Sequence, residues 1–144
     1  GGLRMAQAVI PTMKAQGSGS IVNISTLATR KPMPGEGGYA MAKAALNQLS
    51  RQLAVELGGT GIRVNTALMG WMDGEPLRKG IAGRAEARGM SVEELEADMA
   101  KAIPLGRFPT DEECAGAVLF LLSDLSSAMT GALIHVNGGQ YMVP

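Results

Sequence analysis

Three side chains carry chemistry that their spacing lets them share. Tyr39 and Lys43 stand four apart, and Thr26 stands thirteen residues before the tyrosine. Positions four apart on a helix leave the same face about one turn from each other, so a phenol and an ammonium would point together. Such a pair can move a proton. A free phenol ionises only near pH 10, and reaching neutrality needs about 4 kcal/mol of preferential stabilisation of the phenolate. One ammonium at ~4 Å supplies about that much at an effective dielectric near 20, and less at a longer or wetter separation. A hydroxyl beside the pair would hold the oxygen of a substrate.

The elements that must position these groups are legible around them. Ser20 to Ile24 reads as a strand followed by the hydroxyls Ser25 and Thr26. Ile21, Val22 and Ile24 form a nearly continuous apolar run, which predicts a strand buried on both faces of a parallel sheet. Thr26 then falls at the C-terminal end of that strand, the edge where open α/β sheets place ligands. Strand alternation turns Ser25 to the other face, leaving it a fallback donor. Pro32, Pro34, Gly35, Gly37 and Gly38 forbid either element from running through the loop. From Tyr39 the period becomes helical, and Ala42, Leu46, Leu49, Leu53 and Leu57 predict one apolar stripe.

The flanking chain supplies further elements. Residues 1 to about 15 predict a helix closed at Gly17, with no capping side chain before it. Gly58 to Gly61 end the long helix. Ile62, Val64 and the stretch to Leu68 predict a second strand, parallel to the first through a right-handed crossover. Ser91 with Glu94, and Thr110 with Glu113, are capping boxes. Leu95, Met99 and Ile103 recur behind the first, while Cys114, Ala117, Val118, Leu121 and Leu122 predict the buried face behind the second. Residues 126–130 read as a turn and Leu133–Val136 as a third strand. No repeat or low-complexity tract is present.

Composition narrows the function classes. The 144 residues suit one modest domain, and thirteen basic residues balance thirteen acidic ones. No basic block stands out, which argues against nucleic acid and anionic membrane as partners. One cysteine excludes an internal disulfide and fits a reducing, cytoplasmic setting. The longest apolar run, Ala117 to Leu122, is too short to span a bilayer. His135 is the sole histidine and has no Cys or carboxylate cluster at ligand spacing, so no metal site is expected. Gly-Ser-Gly-Ser at 17–20 lacks the lysine spacing of a phosphate loop and reads as a turn.

Taken together, Ser20-Ile-Val-Asn-Ile-Ser-Thr26, Tyr39-x-x-x-Lys43-Ala44-Ala45-Leu46, Gly61-Ile-Arg-Val-Asn65, and Gly131 with Val136-Asn-Gly-Gly139 resemble the short-chain dehydrogenase/reductase family over essentially the whole chain. The resemblance implies an α/β fold, a Rossmann-like doubly wound parallel sheet. Here it covers only the C-terminal part, about three strands with flanking helices. The Gly-rich dinucleotide turn of the family and its Asn-Asn-Ala-Gly segment are not in the sequence. The N-terminal dinucleotide-binding half is thus expected to be absent, leaving one edge of the first strand unpaired.

The implied reaction interconverts an alcohol and a ketone or aldehyde by hydride transfer with NAD or NADP. Tyr39 would be the general acid/base, and Lys43 would bind the nicotinamide ribose and favour the phenolate. Thr26, where serine is usual, would hold the substrate oxygen, its rotamer narrowed by β-branching. Gly70 and Met72 would line the nicotinamide pocket. Met69 stands where proline is usual and Gly74 where threonine often binds the carboxamide, and both departures alter the pocket. Residues 75–103 resemble the family's substrate lid, and by their charge density read equally as a solvated surface helix pair. The partner is a small alcohol or carbonyl compound, and the family pattern implies a homodimer or homotetramer. By the same reading, the 144 residues alone would be inactive. The second reading is a non-catalytic protein of the same fold serving oligomerisation or interaction, or an inactive truncated fragment.

Overall fold

The computed structural model describes residues 1–142. The first helix, α1 (Gly2–Gln16), ends where Gly17 turns left-handed at φ 70° and donates its N–H to the Lys14 carbonyl. Strand β1 (Gly19–Thr26) follows, with a short 3-10 turn at Leu27–Thr29. Helix α2 (Gly37–Glu56) leads to β2 (Ile62–Met69). Helices α3 (Glu75–Arg88) and α4 (Val92–Lys101) form a pair, and α5 (Asp111–Leu122) precedes β3 (Leu133–Val136). No described helix is long and apolar enough to cross a membrane.

The three strands form a parallel sheet in the order β1-β2-β3. Register aligns Thr26 with Met69 and Met69 with Val136, so the C-terminal ends of all three strands meet at one edge. Helices cover both faces, giving the doubly wound arrangement. On one face Ile21, Ile62 and Val64 pack with Ala6, Leu53, Ala54 and Leu57 of α1, α2 and the turn after it. On the other, Val22, Ala67 and Met69 pack with Cys114 and Leu121 of α5. A third cluster joins Ile81 and Ala85 of α3 to Leu95 and Met99 of α4, with Trp71 and Phe108 against it. Both predicted capping boxes form reciprocally, at Ser91 with Glu94 and at Thr110 with Glu113.

Polar side chains fix the register of the ends. Arg63 of β2 donates to the carbonyls of Leu121, Ser123 and Ser126 at 3.0, 3.0 and 3.1 Å, tying the end of α5 to the sheet. Asn65 is fully buried; it donates to the Met129 carbonyl and accepts from Ala132 N–H, which delivers β3 alongside β2. Gly61, at φ 77°, is required by close approach as well as by conformation. A Cβ there would lie 2.1 Å from the Gly17 carbonyl oxygen.

Three expectations are corrected. Strand β1 is not buried on both faces: it pairs only with β2 among the described residues, and Ile24 is 41% exposed. Its apolar run reads like that of β2, whose Val64, Ala67 and Leu68 are fully buried because β2 is central. The apolar stripe of α2 forms as expected toward its C-terminal end, where Leu49 packs against buried Leu53 and Leu57, but not in its first turns. Ala42 is exposed, Leu46 and Leu49 lie partly buried toward Gly2 of α1, and the face toward the sheet begins with buried Asn47 and Ser50. Asn23 of β1 donates to the Ser50 hydroxyl at 2.9 Å, so polar pairing replaces apolar packing there. Finally, Leu122 is 45% exposed, because one residue turns a helix by roughly 100° and it is the adjacent Leu121 that is fully buried against the sheet.

Candidate active site

The three predicted chemical groups reach the C-terminal edge from two elements. Thr26 is the last residue of β1, and its Oγ1 accepts from Ala28 N–H at 3.3 Å, which caps the 3-10 turn and sets the side chain. The Thr26 carbonyl accepts from the Thr29 hydroxyl at 2.9 Å, and Asn47 of α2 donates to that same hydroxyl at 3.1 Å. The turn is thereby fastened to α2 directly behind the edge. Ser25 points the other way, as alternation predicts. It is buried, and its hydroxyl donates weakly to the Lys43 carbonyl at 3.5 Å.

Tyr39 lies in the first turn of α2 and is 51% exposed. Lys43, one turn on, places its Nζ 5.8 Å from the centroid of the Tyr39 ring, within cation–π range. The same ammonium donates to the Ile24 carbonyl of β1 at 2.8 Å. An ammonium carries three donors, so this bond anchors Lys43 to the strand and leaves others for a ligand. The lysine thus stands behind the tyrosine rather than in front of it.

A cleft of about 430 Å³ opens at this edge, and Thr26, Tyr39, Gly70 and Met72 all border it. Four of the five predicted site residues therefore share one cavity, and the fifth, Lys43, lies over the ring of its tyrosine. Gly74, one of the family departures, also borders the cleft and precedes α3 in extended backbone. Gly70 is packed tightly from behind. A Cβ there would lie 2.6 Å from Asn137 Cβ and 2.7 Å from Gln140 Oε1.

Other residues of the site were not singled out in the sequence. Gln140 is buried and accepts from Trp71 N–H through Oε1 at 3.0 Å, holding the segment after β2 against the turn after β3. Trp71 meets Phe108 edge-on at 6.3 Å and walls the cleft beneath the α3–α4 pair. Glu36, Arg84 and Asp111 bring charge to its rim. No local pattern marks these residues, which converge from five separate segments. The nearest signal was the segment 75–103, expected as a lid, and α3 does supply Leu77 and Arg84 to the cleft.

The remaining candidates lie elsewhere. Cys114 is buried on α5 against Ala67 and Met69 of β2, and burial pushes its thiol pKa up, with Asp111 and Glu113 adding to the shift. His135 stacks on Tyr141 with ring centroids 5.8 Å apart. Burial lowers its pKa and the charge of Arg30 lowers it further. Among the described residues no group of three or more His, Cys, Asp or Glu side chains is placed to hold a metal.

A parallel sheet wound with helices on both faces, with a Tyr/Lys pair on a helix beside a hydroxyl at the C-terminal edge, defines a Rossmann-like α/β architecture. Residues 1–140 match the family model described as Enoyl-(Acyl carrier protein) reductase. The 3-oxoacyl-[acyl-carrier-protein] reductase of Chlamydia muridarum is 38% identical over 135 residues, covering 94% of this chain and 50% of that protein. Its counterpart in Thermotoga maritima is 37% identical over 139 residues, covering 96% and 52%. Among solved structures, a short chain dehydrogenase/reductase family protein superposes with a TM-score of 0.81 at 37% identity, covering 98% of this chain and 53% of that one. L-sorbose reductase from Gluconobacter frateurii, solved with NADPH and L-sorbose, superposes with a TM-score of 0.90 at 28% identity, covering 99% and 54%. The chain belongs to the short-chain dehydrogenase/reductase family, and it spans about half the length of the curated relatives it matches.

Proposed function

We propose that this chain forms the catalytic and substrate-binding half of an NAD- or NADP-dependent oxidoreductase that interconverts an alcohol and a ketone or aldehyde. The observation that carries the reading is the single cleft bordered by Thr26, Tyr39, Gly70 and Met72, with Lys43 behind the tyrosine ring. The residues present fit the nicotinamide end of the cofactor. Lys43 keeps donors free for ribose hydroxyls after bonding the Ile24 carbonyl, and Met72 offers an apolar wall beside the glycine backbone of Gly70. When bound, the nicotinamide supplies or takes up the hydride.

The side chains do the rest. Thr26 Oγ1 already accepts from Ala28 N–H, so its own proton is free to donate to the substrate oxygen. Tyr39 gives a proton to that oxygen during reduction and takes it back during oxidation. Charge developing on the phenol meets the Lys43 ammonium and the positive end of α2, both beside the ring. The Asn47–Thr29 bond keeps the turn that carries Thr26 from drifting. A lone, buried Cys114 suits a reducing cytoplasm.

Calorimetric titration of the full-length polypeptide with NADH and NADPH tests cofactor use, and saturable binding of at least one is expected. Tyr39→Phe removes the transferable proton and should lower kcat by two to four orders of magnitude, the usual worth of a positioned acid/base being roughly 10²–10⁴. Retained turnover in that variant would remove the assigned mechanism. The exposed Met41 and Val55 on α2, and Leu119 and Phe120 on α5, also support assembly as a homodimer or homotetramer. A single-copy mass by light scattering would refute that.

A further inference from the structure

The cleft does not end at the reaction site. A second cavity of about 480 Å³ lies between the loop at Met33–Pro34 and the α3–α4 pair. Met33, Trp71 and Arg84 border both cavities, so the two abut across a shared wall. That wall is largely apolar, and Leu95 and Met99 continue it into the second cavity.

Charge is divided unevenly between the two ends. Glu36 and Asp111 border only the reaction cleft, where they disfavour an anionic group. Arg84 stands at the shared border, and Arg88 stands one turn beyond it in the second cavity. The other cations of α3 are neutralised: Arg78 pairs with Asp73 at 2.8 Å and Lys79 with Glu75 at 2.6 Å. Among the described residues, neither Arg84 nor Arg88 has a carboxylate within 4.0 Å. Like charges four apart on a helix repel one another. Arg88 gains from the negative end of α3, where it occupies the last turn, but Arg84 lies too far back to share that benefit fully. Asp98 is the one carboxylate bordering the second cavity, and it lies 3.9 Å from Lys101.

We infer that the substrate is a carbonyl or alcohol compound bearing an oxyanion at its far end, held between Arg84 and Arg88, with an aliphatic spacer over Met33 and Trp71. This rests on the proposal that Tyr39 acts on a carbonyl in the adjoining cleft. Arginine suits the task because its planar fork binds carboxylate or phosphate through two parallel hydrogen bonds. A free oxo acid brings a carboxylate, whereas a phosphorylated ketone of similar length brings a phosphate, and both present the same chemistry to the two guanidinium groups.

Calorimetry on the full-length polypeptide tests the inference with two matched pairs of probes. One pair is 5-oxohexanoate and its methyl ester. The other is 4-oxopentyl phosphate and its neutral counterpart 5-methoxypentan-2-one. At least one charged probe is expected to bind tenfold or more tighter than its neutral match, and the favoured pair names the source of the oxyanion. The Arg84→Gln/Arg88→Gln variant should reduce that advantage to less than twofold while leaving the neutral probe unchanged, which also reports that the fold is intact. Equal affinities within both pairs, an advantage that survives the double substitution, or failure of all four probes to bind would overturn the inference. If a charged probe binds through the arginines but NADH and NADPH never reduce it, the hydride-transfer proposal falls and the anion site stands. If neutral and charged carbonyls are reduced with equal kcat/KM, the anion site falls alone.

Discussion

Replacing Gly70 by alanine tests whether the cleft is held open by packing beneath it. Gly70 is not among the glycines with positive φ, so an alanine meets no backbone penalty there. Its Cβ instead meets Asn137 Cβ at 2.6 Å, Gln140 Oε1 at 2.7 Å and Asn137 Cα at 2.9 Å. The two neighbours differ in how far they can give. Gln140 can swing aside at the loss of its bond to Trp71 N–H, about 0.5–1.5 kcal/mol. Asn137 cannot, because its Nδ2 donates to the Tyr141 carbonyl and its Oδ1 accepts from Gly139 N–H, both at 2.9 Å. The backbone must therefore part where Gly70 N–H meets the Val136 carbonyl at 3.0 Å. Overpacking of this kind costs about 1–3 kcal/mol, so the sum is about 1.5–4.5 kcal/mol. That is a large share of the about 5–15 kcal/mol that stabilises an ordinary domain. Urea denaturation of the full-length Gly70→Ala protein should show the loss. Adding Gln140→Ala should fail to restore it, since the Asn137 contact remains. A Gly70→Ala protein within about 0.5 kcal/mol of wild type, the range of substitutions that disturb nothing, would refute the argument.

Two further outcomes concern the frame around the site. Arg63→Lys keeps the charge but cannot serve the Leu121, Ser123 and Ser126 carbonyls from one fork, and a loss of roughly 3 kcal/mol in denaturant unfolding is expected; an unchanged midpoint would refute it. Glu113 is held at a pKa of about 2 by its hydrogen bonds to Arg107 and then to the Thr110 backbone. Its folded value lies below the ordinary glutamate value near 4.3, so its contribution is complete above that pH and disappears as pH falls through about 2. The Tm difference between wild type and Glu113→Gln should be constant above about pH 5 and shrink steadily below it. A difference that does not change with pH would show that the ion pair adds nothing.

Local patterns were enough for the three strands and for α1, α2, α4 and α5, but not for α3 or the 3-10 turn after β1. Alternation and apolar runs found the strands, Gly/Pro punctuation found the loops, and side-chain caps found the starts of α4 and α5. Those signals are local because a hydrogen-bonded turn or cap is completed within a few residues of chain. The Tyr39/Lys43 pair was legible for the same reason, since helical spacing fixes their common face whatever surrounds the helix.

Burial was another matter. Ile24 and the residues of β2 have the same apolar character, yet only the strand order decides that one is 41% exposed and the others enclosed. Asn47 and Ser50 were hidden behind a leucine pattern because their partners, Thr29 and Asn23, lie on other elements. Gln140, Trp71 and Arg84 reach the cleft only through the parallel pairing of three strands and the folding of α3 and α4 over their ends. The sequence by itself determined that a hydroxyl, a phenol and an ammonium ride on a strand end and on one face of the helix that follows it. What stands opposite them, and how the charges divide between the two cavities, was decided by tertiary packing, because it depends on distances between segments that no local periodicity records.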